Sequence, residues 1–194
     1  MKKALIAIAA LLLAAIAVLL SMARRGFSAH EEPSHMESVL ARAMRHWAVP
    51  ADLRDAKNPV PLTPEVLADG RAHFADHCAG CHGNDGKGSA MGRQMYPEAP
   101  DMTLAATQSM SDGELFSIVE NGIRLTGMPG FGTGTAASAY GSWGLVHFIR
   151  HLPKVTAEEL AEMEKLNPKS PEEWRALQAE DAFLAGETPA AQQR

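Results

Sequence analysis

The stretch Cys78-Ala79-Gly80-Cys81-His82-Gly83 sets what kind of interior this chain can build. Its two cysteines are the only two among 194 residues. One pair cannot make a disulfide framework, so its use is local: haem attachment, a redox pair or half of a metal site. Two thiols about one helical turn apart can reach the two vinyl groups on one edge of a porphyrin. The histidine after them then lies beneath the iron. A zinc site needs four protein ligands as a rule, and the one downstream pair at finger spacing, His147 and His151, lies far beyond a finger's reach of Cys81 in the chain. A thioredoxin-like pair follows a strand in a βαβ pattern, whereas the residues before Cys78 read as helix. Covalent haem attachment fits best.

Working outward, Thr63 is a good N-cap, with Pro64 at the first helical position and Glu65 at the positive helix end. This helix carries Val66, Gly70 and Phe74 into the cysteine motif. Asn84 to Gly88 is turn material, and an irregular stretch containing Pro97 and Pro100 continues to Ser109. Ser111-x-x-Glu114 is a capping box, and Asn121-Gly122 ends its helix. A glycine-rich loop over 123–134 then presents Gly127-Met128-Pro129-Gly130. A last helix covers 136–152 and stops at Pro153. Gly141 and Gly144 in it lower helix propensity but permit close backbone approach, with Gly70 as the complementary site.

An iron held by one histidine needs a sixth ligand or stays open. Met128 is the best candidate, because its loop is flexible, Pro129 keeps it out of a helix and glycines flank it. Met91, Met95, Met102 and Met110 are the alternatives among ten methionines. The other seven histidines, His30, His35, His46, His73, His77, His147 and His151, each read as surface or packing residues; His77, beside Cys78, is the first of them to consider for a haem contact.

These pieces resemble the class I c-type cytochromes over residues 62–152. The resemblance rests on the Gly70 and Phe74 helix, the Cys78-to-Gly83 motif, the Asn84-Asp85-Gly86-Lys87-Gly88 turn, the 111–122 helix, Gly127-Met128-Pro129-Gly130-Phe131, and a last helix with Tyr140, Trp143 and Phe148. It implies an all-α, cytochrome c-like domain around one covalent haem c, with first and last helices crossing beside it. Gly70 and Phe74 would meet Trp143 or Phe148 there. It also implies that the carbonyl of Pro97 or Pro100 accepts the His82 ring N–H. Arg93, Tyr96 and Trp143 are candidate propionate partners.

The flanks extend this domain. Residues 4–23 carry no charge, and twenty helical residues span about 30 Å, the thickness of a bilayer core. Segment 1–23 therefore reads as a transmembrane anchor, or else as a signal cleaved after Ala23. Segment 24–61 is a linker with a short amphipathic helix, in which Met36, Val39, Leu40, Ala43, Met44 and Trp47 share a face expected to pack on the domain. Residues 62–153 form the cytochrome domain. Segment 154–194 reads as an acidic helical tail outside the core, with capping boxes at Thr156-x-x-Glu159 and Ser170-x-x-Glu173.

A formal charge of −5 with no basic patch argues against nucleic acid as a partner. Aromatics at 6% are too sparse to fill a core alone, and a porphyrin would supply the missing bulk. No phosphate-cradling loop or catalytic triad is apparent, so no small-molecule substrate and no enzyme activity are expected. The expected function is single-electron transfer by His82- and Met128-ligated iron, between periplasmic or membrane-bound redox proteins. The expected location is a bacterial inner membrane, with the haem domain in the periplasm. The alternatives are an electron-accepting subunit of a dehydrogenase or oxidase complex, and a gas-binding haem sensor.

Overall fold

The computed structural model describes residues 2–25 and 31–185. These residues are helical or irregular, with no strand among them. Helix α1 (Lys2–Arg25) leads, and its span Lys2–Ser21 is long and apolar enough to cross a membrane. Helix α2 (His35–Ala48) starts at a full capping box: Ser34 Oγ accepts from the Glu37 N–H, and the Glu37 carboxylate accepts from the Ser34 N–H. A short α3 (Ala51–Arg54) leads to α4 (Pro64–His73), which begins at Thr63 as its cap predicts.

Helix α4 does not stop at His73. It widens into a π turn over Phe74–Cys78 and resumes as α5 (Ala79–His82). After an irregular stretch come α6 (Ala105–Gln108), α7 (Asp112–Asn121) and α8 (Ala136–His151), the last leading into a 3₁₀ turn at Leu152–Lys154. Helices α9 (Ala157–Leu166) and α10 (Pro171–Leu184) close the described chain, each opened by the capping box its sequence specifies.

The core is built where α4 crosses α8. Phe74 and Phe148 are fully buried, with ring centroids 5.2 Å apart. Gly70 makes the crossing possible: a Cβ there would lie 2.5 Å from the Gly144 carbonyl oxygen. Gly144 is less constrained, since its own Cβ would meet Val66 only at ordinary contact distance, 3.8 Å. Gly141 takes no part, its nearest neighbour being the His73 ring. Of the two aromatics expected to meet Phe74, Phe148 is the one whose ring does so, and Trp143 stacks nearly parallel on Phe116 of α7 at 4.1 Å.

Arg150 ties α8 to the start of α7. Its guanidinium donates to Asp112 Oδ1 at 2.9 and 3.0 Å, to the Gln108 carbonyl at 2.7 Å and to the Met110 carbonyl. Gln108 answers by donating to the Ile149 carbonyl at 2.9 Å. Such charge-assisted bonds to otherwise unpaired carbonyls fix the helix ends more firmly than neutral contacts would.

Two expectations about the flanks are corrected. The apolar face of α2 is left largely uncovered by the domain: Met36, Val39, Leu40, Met44 and Trp47 are exposed, and of that face Ala43 alone is half-buried. The first tail helix, α9, is part of the core rather than an appendage. Met163 is completely buried, and Asn167 Nδ2 donates to the Ala75 carbonyl at 2.8 Å. Helix α10, by contrast, buries no residue.

Candidate haem site

The π turn and α5 together hold the cysteine motif. A π turn inserts one extra residue into a helix, and such turns occur often at functional sites. Here it carries Cys78 at its end, so the motif begins where the helix has widened. Gly83, at φ +71°, stops α5 in a conformation that favours glycine. The α5 carbonyls are taken up by the next loop. Gly88 N–H donates to the His82 carbonyl at 2.7 Å and Ser89 N–H to the Cys81 carbonyl at 2.9 Å. Ser89 Oγ donates to the Gly80 carbonyl at 2.6 Å. Gly92 lies so close beneath the Cys81 carbonyl that no side chain would fit there.

The methionine loop is anchored as tightly on the other side. Gly122, at φ +66°, ends α7, and a Cβ on it would sit 2.6 Å from the Met128 carbonyl oxygen. Ile123 N–H donates to that same carbonyl at 3.0 Å, closing the loop on itself. Phe131 and Gly132 then donate to the Val119 and Glu120 carbonyls, so the chain returns along α7. Within the loop, Thr126 Oγ1 accepts from the Met128 N–H at 3.1 Å and donates to the Ile123 carbonyl at 2.7 Å. Leu125, at the tip, has a left-handed φ of +63° and is 94% exposed.

These two segments face one open, mainly apolar cleft. Cys78, Cys81, His82 and Met128 all line it. Pro97, Pro100, Ile123 and Phe131 add to its apolar lining, and His77, read from the sequence as a surface or packing residue, stands at the same cleft. Met95 also lines it, with its Sδ packed where a Cβ on Gly127 would be, 2.6 Å away. Of the other candidate methionines, Met102 is in the core, Met110 packs against the core and Met91 is exposed.

The chemistry of these side chains suits covalent haem. His82 Nδ1 is buried without a hydrogen-bond partner. Burial lowers the His82 pKa, which favours the neutral imidazole that binds a metal. Burial, and then the neighbouring Cys81, push the Cys78 thiol up to about 12. It is thus held as an uncharged thiol rather than a thiolate ligand. Both cysteines are free and half-buried. Among the described residues no three histidine, cysteine or acidic side chains come together as a metal site. A thioether-linked porphyrin uses the cysteines without requiring further ligating side chains nearby.

Some expected partners lie elsewhere. Neither Pro97 nor Pro100 accepts from His82, although both line the cleft. Arg93 donates to the Gly88 carbonyl, Tyr96 to Glu37, and Trp143 is buried against Phe116, so none of the three lines the cleft. Ile123 and Thr126 line it although no motif in the sequence marks them; their proximity to Met128 is the one signal that points to them.

Fold and site together define a c-type cytochrome domain, the class that carries covalently bound haem c. Residues 65–149 match the family described as Cytochrome C oxidase, cbb3-type, subunit III. The match covers less than half of the chain and takes in the π turn, the cysteine motif, the Met128 loop and most of α8. No curated protein matches the chain.

Proposed function

We propose that this protein is a membrane-anchored, mono-haem cytochrome that passes single electrons, with His82 and Met128 as the axial ligands. The observation that carries this reading is that both residues line the cleft that also holds Cys78 and Cys81. When bound, the haem supplies a one-electron couple. Cys78 and Cys81 would hold it by thioether bonds. His82 offers a neutral imidazole, and Met128 a neutral thioether on a loop pinned by Ile123 and Thr126. Met/His ligation raises a haem's potential, and an apolar lining that limits water acts on it as well.

Helix α1 supports the anchor, and haem is attached to such motifs outside the cytoplasm. The haem domain would therefore stand in the periplasm of a bacterial inner membrane, between membrane-bound or soluble redox proteins. A potentiometric titration of the full chain in detergent tests the reading. A single reversible one-electron wave is expected. A multi-electron wave, or haem that cannot be cycled, would contradict it.

The family match favours a second reading. The matched family is a subunit of an oxidase. This chain would then be the electron-accepting subunit of such a complex, with α2 and α10 as surfaces for its partners. Purification from native membranes in mild detergent separates the two readings. A carrier comes out alone, and a subunit comes out with a larger partner.

A further inference from the structure

Helix α2 keeps an apolar face that the haem domain does not cover. Met36, Val39, Leu40, Met44 and Trp47 are 48–78% exposed, with the small Ala43 among them half-buried. At about 100° per residue they occupy one arc of roughly 140°. Ser38 and Arg45, near the opposite pole, are half-buried. The helix is therefore attached through its polar side. His46 Nδ1 and Glu114 Oε1 are 2.6 Å apart, and Tyr96 donates to Glu37 at 3.4 Å. Arg54 donates to the Trp47 and Val49 carbonyls, and Val49 itself is buried. Rotating α2 to bury its apolar face would break this whole set.

The chain itself indicates what covers that face. Only residues 26–34 separate α1 from α2. Such a connection reaches at most about 35 Å when fully extended. If α1 spans a bilayer, α2 is confined close to the surface of that bilayer. A helix with aliphatic side chains and a tryptophan on one face and charges on the other is suited to lie in the headgroup region. Tryptophan in particular favours this zone.

We infer that α2 lies in the interface of the bilayer that α1 spans, apolar face inward, and holds the haem domain against the membrane surface. This rests on α1 being an uncleaved anchor. The Glu37–Tyr96 bond joins α2 to the Met95–Pro100 segment at the cleft. That rim of the haem site is thereby brought to the membrane side, where a membrane-bound partner would meet it.

The test uses the full-length haem protein in phosphatidylcholine vesicles containing a phospholipid with a photoreactive diazirine high on its acyl chain. After illumination and digestion, lipid adducts are expected on peptides from both α1 and α2. The double variant Met44→Glu, Trp47→Glu should lose at least fivefold of the α2 adduct, with α1 labelling and haem content unchanged. Full labelling of α1 with none on α2 would overturn the inference and leave the anchor standing. No labelling on either helix would remove the anchor, and the inference with it.

Discussion

Gly70 and Gly144 meet backbone to backbone where α4 crosses α8, and the fit is one-sided. A Cβ on Gly70 would lie 2.5 Å from the Gly144 carbonyl oxygen, while one on Gly141, a turn away, would meet nothing closer than 3.8 Å. Backbone cannot yield as a side chain can. Gly70→Ala is expected to destabilise by about 1–3 kcal/mol despite its better helix propensity, as overpacking does. Gly141→Ala gains the propensity without the clash and should stabilise by about 0.5–1 kcal/mol. Denaturant unfolding of the two variants checks the opposite signs.

The crossing is largely legible in the sequence, and its surroundings are not. Caps at Thr63, Ser111, Thr156 and Ser170 fix helix starts through local bonds, and each is realised. The cysteine motif and Met128 are legible because their spacing and flanking residues are specific. The π turn is not, because no residue in Phe74–Cys78 encodes the extra residue in that turn. That Phe148 meets Phe74 while Trp143 stacks on Phe116 depends on how α7 and α8 meet. The faces of α2 and α9 depart from expectation for the same reason. An amphipathic pattern shows that a helix has an apolar side, but only long-range contacts decide whether that side is covered.

Met163 should therefore matter as a core residue. It is completely buried, 81 residues beyond His82. Met163→Ala is expected to cost about 2–4 kcal/mol from lost burial and the cavity left. Truncation after Lys169 removes only α10 and the residues C-terminal to it, and should leave the melting temperature nearly unchanged. Thermal unfolding of the two proteins, monitored by helical signal, makes the comparison.

Glu159 binds α9 to the domain. Its carboxylate accepts from His151 Nε2 at 3.0 Å, from Arg71 Nη1 at 3.2 Å and from the Thr156 N–H at 2.9 Å. Burial works to raise its pKa, but the bonds from His151 and Thr156 and the charges of His151 and Arg71 outweigh it and hold the group below the usual carboxylate range. A depressed acid stabilises the fold above its unfolded pKa and loses that contribution as pH falls through the folded value. Glu159→Gln should cost about 1–2 kcal/mol at pH 7, in line with lost charged hydrogen bonds. The gap from wild type should close as the pH is taken below about 4. Melting curves across that range test both statements.

Cys78 and Cys81 are expected to carry the haem covalently. Denaturing the protein and extracting it with acidified organic solvent should leave the haem on the polypeptide. Cys81→Ala should lower the yield of haem protein severalfold. Haem that leaves the wild-type chain in the solvent would contradict the assignment.

The axial pair is the central claim, and carbon monoxide tests it most directly. Met128 and Met95 are the two methionines at the cleft, and only Met128 sits on a loop fixed by Ile123, Thr126 and the close approach of Gly122. If Met128 closes the sixth position, the reduced full-length protein binds carbon monoxide slowly or not at all. Met128→Ala then binds it readily and shows a lowered potential, while Met95→Ala behaves as wild type. Rapid, stoichiometric carbon monoxide binding by the intact reduced protein would contradict the account and point to a gas-binding haem instead.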